Sequence, residues 1–134
     1  MDASVVVAAL VDDGPVGQWA EGVLASDALA APHLMPVEVA NILRRAAGSG
    51  RIPADTAGLA HADLVRLRVT LFGYEPHAPR VWELRQNVTS YDAWYVAVAE
   101  AVGSPLATLD GRLTRAVGPR CKFVQPTMSE ATGD

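Results

Sequence analysis

Short apolar runs alternate along this chain with longer stretches in which apolar residues recur every three or four positions, as when strands and helices take turns. Ser4 to Val11 reads as the end of a strand passing into a short helix. Asp12-Asp13-Gly14-Pro15 breaks the chain and starts a helix with proline near its first turn. Leu29-Ala30-Ala31-Pro32 reads as a small-residue strand. Met35 to Ala47 is an amphipathic helix stopped by Gly48-Ser49-Gly50, and Pro53 to about Val69 completes a helical hairpin. Val69 to Phe72 is a further short strand and Pro79 to Gln86 a further helix. Ser90 is the expected cap of a helix from Tyr91 to Val102, with Asp92 in its first turn. Pro105 to Leu109 is a strand, Asp110 to Val117 a helix, and Cys121 to Val124 an edge strand. The order predicts one α/β domain over residues 1–125, a mainly parallel sheet covered by helices on both faces, followed by a polar, loose tail over residues 126–134.

Composition narrows the class. The chain has 134 residues, half of them hydrophobic and 19% charged, which suits one globular domain and excludes a disordered segment. No apolar run approaches the about 18 residues needed to span a bilayer. The start, MDASVVVAALVDDG, lacks the basic region of a signal peptide. Cys121 stands alone and has no internal disulfide partner, which favours a reducing compartment; a soluble cytoplasmic protein is expected. Net charge is −4, so nucleic acid would not be held by bulk attraction. The 11 basic residues are ten arginines and Lys122, and arginine suits bidentate phosphate contacts and ion pairs.

Several chemistries are missing. The chain has no phosphate-binding glycine loop, no dinucleotide fingerprint and no nucleophile elbow. His33, His61 and His77 lack metal-ligand spacing, and Cys121 has no evident base partner. Four acids remain where few other roles need one. Asp2 precedes an apolar run in M-D-A-S-V, and Glu38 lies inside the apolar helix P-V-E-V-A-N-I-L-R-R. Asp92 lies in S-Y-D-A-W-Y-V-A-V-A-E, and Asp110 stands where a strand gives way to a helix in L-A-T-L-D-G-R-L. Carboxylates gathered at strand ends repel one another and suit a hard divalent cation. Each also has a plainer reading. Asp110 suits a helix cap, Asp92 a helix dipole, and Asp2 a frayed terminus. Glu38 suits a solvated stripe shared with Asn41 and Arg45. Among 15 acids, spacing alone does not single out four.

These four segments, in this order, resemble the acidic motifs of VapC-type ribonuclease toxins of the PIN-domain family. The likeness runs over nearly the whole chain, helical hairpin included. It implies a PIN-like three-layer α/β/α fold and a metal site of Asp2, Glu38, Asp92 and Asp110 holding Mg²⁺ or Mn²⁺. It implies endonucleolytic cleavage of cellular RNA that arrests growth, a homodimer, and a cognate VapB-like antitoxin that covers the site. Ser4, Asn41 and Thr108 match polar positions beside the motifs and are expected to support the acids. Arg112 is assigned either to phosphate or to the acids. Members of that family carry two or three apolar residues before the first aspartate. Only Met1 precedes Asp2 here, so either the first strand is short or the start is late, and a late start would leave Asp2 close to a charged amino terminus.

The mechanism this implies is metal-assisted hydrolysis of a phosphodiester, with arginines such as Arg44, Arg45, Arg51 and Arg112 meeting the RNA locally. Trp82 and Trp94 are candidates for the dimer face, and the acidic pocket is expected to accept an arginine from the antitoxin. Two rivals stand beside it. A phosphoacceptor signalling domain needs an acidic pair after its first strand and a late-strand lysine, yet Asp12-Asp13 come too late and Lys122 lies too near the end. An inert PIN module kept for protein binding would not need all four acids.

Overall fold

The computed structural model describes residues 1–26 and 28–127. Seven α-helices and four short strands follow one another in these residues. Helix α1 (Ala3–Val11) and α2 (Pro15–Leu24) lead to β1 (Ala30–Pro32). The hairpin α3 (Met35–Gly48) and α4 (Ala54–Arg66) leads to β2 (Thr70–Phe72). A single 3₁₀ turn (Glu75–His77) enters α5 (Ala78–Glu83), and α6 (Ser90–Val102) precedes β3 (Leu106–Ala107), α7 (Gly111–Thr114) and β4 (Phe123–Val124).

All strand pairing is parallel, as expected for an α/β fold. It falls into two ladders, β1 with β2 (Ala31 opposite Leu71) and β3 with β4 (Leu106 opposite Phe123). Helix α6 packs on β1, β3 and α5, while α1 packs against α2, α3 and α4. The core is built from Val5 and Val6 of α1, Met35 and Val39 of α3, Val96 of α6 and Leu106 of β3, all at most 1% exposed. Alanines 20, 31, 93 and 97 let the elements approach closely. Gly17 marks the tightest contact, since a Cβ there would lie 1.8 Å from the backbone oxygen of Asp12, pinning α2 to the end of α1.

Several boundaries differ from expectation for identifiable reasons. No strand precedes α1. The Asp2 carboxylate accepts the N–H groups of Ser4 and Val5, so the helix starts at once, overriding the strand preference of three consecutive valines. The chain start instead joins β3 through one bond, Asp2 N–H to the carbonyl of Ala107 at 2.9 Å. Thr89, not Ser90, caps α6, its Oγ1 accepting the N–H of Asp92 at 3.1 Å. Helix α4 ends at Arg66 because Leu67 turns extended, and α5 stops at Glu83. Helix α7 is one turn, with Asp110 as its cap instead of its first residue. Residues 128–134 of the expected tail lie outside the described residues.

One ion-pair cluster secures the far side. Arg80 donates from Nε and Nη2 to the two carboxylate oxygens of Glu100 at 2.7 and 3.0 Å, and from Nη2 to the carbonyl of Gly118 at 2.8 Å. The N–H of Arg120 donates to Glu100 at 2.7 Å. Burial works against the Glu100 charge, but Arg80 and this N–H hold its carboxyl below the ordinary value. The cluster ties α5 and α6 to the loop that delivers β4.

Candidate active site

The four acids predicted from the sequence sit at the starts of four helices. Asp2 caps α1, Glu38 lies in the first turn of α3, Asp92 in the first turn of α6, and Asp110 caps α7. Free N–H groups and the positive end of the helix dipole favour carboxylates at such positions. The four also feel one another. Asp92 and Asp2 act on Glu38, and Asp110 and Asp2 act on Asp92, each raising the proton affinity of its neighbour.

Asp2 is the most enclosed, 7% exposed. One oxygen accepts the backbone N–H groups of Ser4 (3.1 Å) and Val5 (3.3 Å) and the Ser4 hydroxyl. The other accepts the hydroxyl of Thr108, a residue with no exposed surface. Thr108 Oγ1 in turn accepts the N–H of Asp110 at 3.0 Å, and Ser4 Oγ accepts the N–H of Leu109 at 3.2 Å. Ser4 and Thr108 therefore link the start of α1 to the end of β3 and the entry of α7. Burial pushes the proton affinity of the Met1 amino group down, against the pull of Asp2 beside it.

Glu38 is half-buried, and its Oε1 accepts the hydroxyl of Tyr95 at 2.6 Å. Burial raises its pKa; the Tyr95 bond opposes this, and the charges of Asp92 and Asp2 add to it. Asp92 is also half-buried, its carboxyl raised first by burial and then by Asp110 and Asp2, while Thr89 and Arg112 draw it down. Asp110 accepts the N–H of Arg112 at 2.9 Å, and the Arg112 guanidinium lies 3.8 Å away on a side chain that is 90% exposed.

Asn41 is not brought to the acids. It is exposed, and its Oδ1 accepts Arg44 Nε at 3.0 Å. Tyr95, 3% exposed, is the member of the cluster that sequence reasoning missed. Its signal was present: three residues after Asp92 on the same helix, it lies one turn further along the same face. Of the three histidines, His33 and His61 are exposed and His77 donates from Nδ1 to the carbonyl of Gly73; none joins the acids. Cys121 is half-buried, and burial raises its thiol pKa.

The donor chemistry suits a hard divalent ion: four oxygen-bearing acids with two raised pKa values. Among the described residues, however, no three acidic, histidine or cysteine side chains are gathered closely enough to hold an ion as they stand. Asp2 is turned to Thr108 and Ser4, Glu38 to Tyr95, and Asp110 to the N–H of Arg112.

A PIN domain family model matches residues 1–119, which take in all four acids and the elements that carry them. The chain belongs to the PIN-domain family. This PIN domain is 41% identical over 127 residues to Ribonuclease VapC1 of Mycobacterium tuberculosis, covering 92% of this chain and 93% of that protein. It is 39% identical over 121 residues to VapC ribonuclease Mb0985 of Mycobacterium bovis, covering 90% and 92%. Ribonuclease VapC12 of Mycobacterium tuberculosis is 31% identical over 118 residues, covering 88% and 91%. No helix among the described residues of the PIN domain is long and apolar enough to cross a membrane.

Proposed function

We propose that this PIN domain is a metal-dependent endoribonuclease, the toxin of a type II toxin–antitoxin pair, cutting cellular RNA in the cytoplasm. The observation that carries the reading is the meeting of Asp2, Glu38, Asp92 and Asp110, from four separate segments, in one another's field. Relatives named as VapC ribonucleases support the activity. Asp2, Glu38, Asp92 and Asp110 would hold Mg²⁺ or Mn²⁺, which supplies water activation and charge neutralisation at the phosphodiester.

The chain's own groups prepare that site. Thr108 and Ser4 fix the Asp2 carboxylate and couple its position to that of Asp110. Tyr95 holds Glu38 through its hydroxyl. Arg112, exposed at the rim, is free to leave Asp110 and meet a phosphate oxygen. The same carboxylates would accept an arginine from a VapB-like antitoxin, and Trp82, 63% exposed on α5, is the better candidate for a homodimer face. Trp94, the other candidate, is half-buried with its ring edge-on to Tyr74 at 5.3 Å.

One observation favours a second reading, an inert PIN module acting by protein binding: three of the four carboxylates are already occupied by protein donors. A phosphoacceptor domain drops out with membership of the PIN family. Cleavage of total RNA by purified protein, titrated with Mn²⁺ and with EDTA, separates the two. Metal-dependent cleavage that is lost in Asp92→Asn supports the nuclease. Cleavage that survives EDTA or Asp92→Asn refutes it, and absence of cleavage at any Mn²⁺ concentration favours the inert module.

A further inference from the structure

A cleft of about 300 Å³ opens at the far end of α3, lined by Ile42, Arg45, Ala46, Ser49 and Arg51. At 100° per residue, Ile42, Arg45 and Ser49 all fall within about 40° of the line that Glu38 occupies on this helix. Arg45 stands two turns, or about 10 Å, along that line from Glu38. The cleft therefore continues the acidic face along the same helix.

Its charge is of one sign. No acidic side chain lines the cleft, and among the described residues neither Arg45 nor Arg51 makes an ion pair. Arg80, by contrast, is paired with Glu100, and Arg44 donates to Asn41. Chain reversal is what brings Arg51 back to α3. Gly50 adopts φ +77°, and the N–H of Arg51 then donates to the carbonyl of Ala46 at 2.9 Å. Two like charges are thus held on one cleft in an acidic protein.

Arginines in a last helical turn often only complement its exposed carbonyls. Here three of the last four carbonyls are already satisfied. The carbonyl of Arg45 accepts Ser49 N–H, that of Ala46 accepts Arg51 and Ile52 N–H, and that of Ala47 accepts Gly50 N–H. Ser49 Oγ also donates to Ala46 at 3.3 Å, and no hydrogen bond from the guanidinium of Arg45 or Arg51 to a helix carbonyl is seen among the described residues.

We propose that Arg45 and Arg51 form a subsite for an RNA backbone phosphate outside the bond that is cut. The proposal rests on the nuclease reading of the acidic cluster. The offset of about 10 Å places the bound phosphate within a few nucleotides of the carboxylates on the same strand. The two guanidinium forks grip the phosphate oxygens, and Ile42, 37% exposed, offers an apolar wall to the adjoining sugar or base. Such an interaction carries no sequence information and sets the register of the strand on the acids.

The test is binding of a fluorescein-labelled single-stranded RNA of mixed sequence to the full chain in EDTA, read by anisotropy across salt concentration. Arg45→Ala/Arg51→Ala is expected to weaken binding about tenfold and to flatten the log–log salt slope by about 0.7 for each phosphate that is no longer neutralised. Arg66→Ala/Arg68→Ala removes the same charge from the exposed end of α4 and should leave the slope unchanged. An unchanged slope in the first variant overturns the subsite while leaving the nuclease reading to its own cleavage assay. Equal flattening in both variants also overturns it, since bulk charge then explains the effect. A parent protein that binds no RNA overturns the subsite and counts against the nuclease as well.

Discussion

Replacing Tyr95 with Phe removes one hydroxyl and nothing else from a 3% exposed position, so the ring still fills its place and no cavity forms. What disappears is the 2.6 Å bond to Glu38. A hydrogen bond to a charged group contributes about 1.5–3 kcal/mol. Water can reach the vacated oxygen because Glu38 is only half-buried, which reduces the expected cost to about 1–2 kcal/mol. For a chain of this length that is a fall in Tm of about 3–8 °C. The size should depend on pH. Burial raises the Glu38 pKa and Tyr95 opposes it, so the variant raises it further. Below the unfolded value of 4.5 the carboxyl is neutral in both states, and only a neutral bond of about 0.5–1.5 kcal/mol is removed. As pH climbs through the raised folded value, Glu38 ionises and the full cost appears. The phenol itself stays protonated throughout, because burial and then the neighbouring carboxylate push it well above the tyrosine range. Urea unfolding in EDTA at acid and neutral pH, with and without Glu38→Gln, measures this. A cost of Tyr95→Phe that is the same at both pH values, or a pH dependence that persists in the Glu38→Gln background, refutes the reasoning.

Glu38→Gln and Asp92→Asn should each nearly abolish RNA cleavage yet leave metal-free Tm at neutral pH level or higher. Both folded pKa values are raised, so parent stability declines as pH rises from the unfolded values of 4.5 and 3.8 through the folded ones, and each neutral variant lacks its share of that decline. Asp12→Asn and Asp63→Asn serve as controls that keep cleavage within a few fold. Thr108→Val strands the Asp2 oxygen and the Asp110 N–H that share one buried hydroxyl, and should cost about 2–4 kcal/mol in urea unfolding, with Thr108→Ser restoring most of it. Trp82→Asp should shift the mass seen by light scattering toward the monomer; a parent protein that is monomeric throughout counts against the dimer.

The α/β order was legible because apolar periodicity is a property of each segment alone, and the helices at Met35, Ala54 and Ser90 fall where the pattern puts them. The start was not. Ser4 to Val11 carries strand-forming valines, and only the cap made by Asp2 and the burial of Val5 and Val6 turn it into helix. The cap of α6 passed to Thr89 for a similar reason: two hydroxyl residues stand together, and the extended backbone that a cap needs belongs to the first. Asp2, Glu38, Asp92 and Asp110 could be named from motifs, and Ser4 and Thr108 beside them. Which acid each supporting residue meets could not, since the bond of Thr108 with Asp2 spans 106 residues, and Tyr95, 57 residues from Glu38, was not named at all. Asn41 is bonded to Arg44 and not to the acids, because helical spacing marks neighbours along a helix and not the direction a side chain takes.

The four acids share a feature that reconciles their two readings. Asp110 was explicable as a helix cap and Asp92 as a first-turn acid; each is one, and Asp2 and Glu38 prove to be a cap and a first-turn acid as well. Those roles do not compete with a joint site; they make it tolerable. Carboxylates brought together repel, and the raised pKa values of Glu38 and Asp92 reflect burial first and that repulsion in addition. Helix N–H groups and hydroxyls donate to Asp2 and Asp110, and Tyr95 donates to Glu38, so negative charge is partly offset by the fold itself. A fold arranged this way keeps the acids in place without an ion. A monovalent cation would have little to offer against donors already in place, whereas a divalent one gains from several carboxylates at once. The structural reading of each acid taken singly is thereby the condition for the chemical reading of the four together.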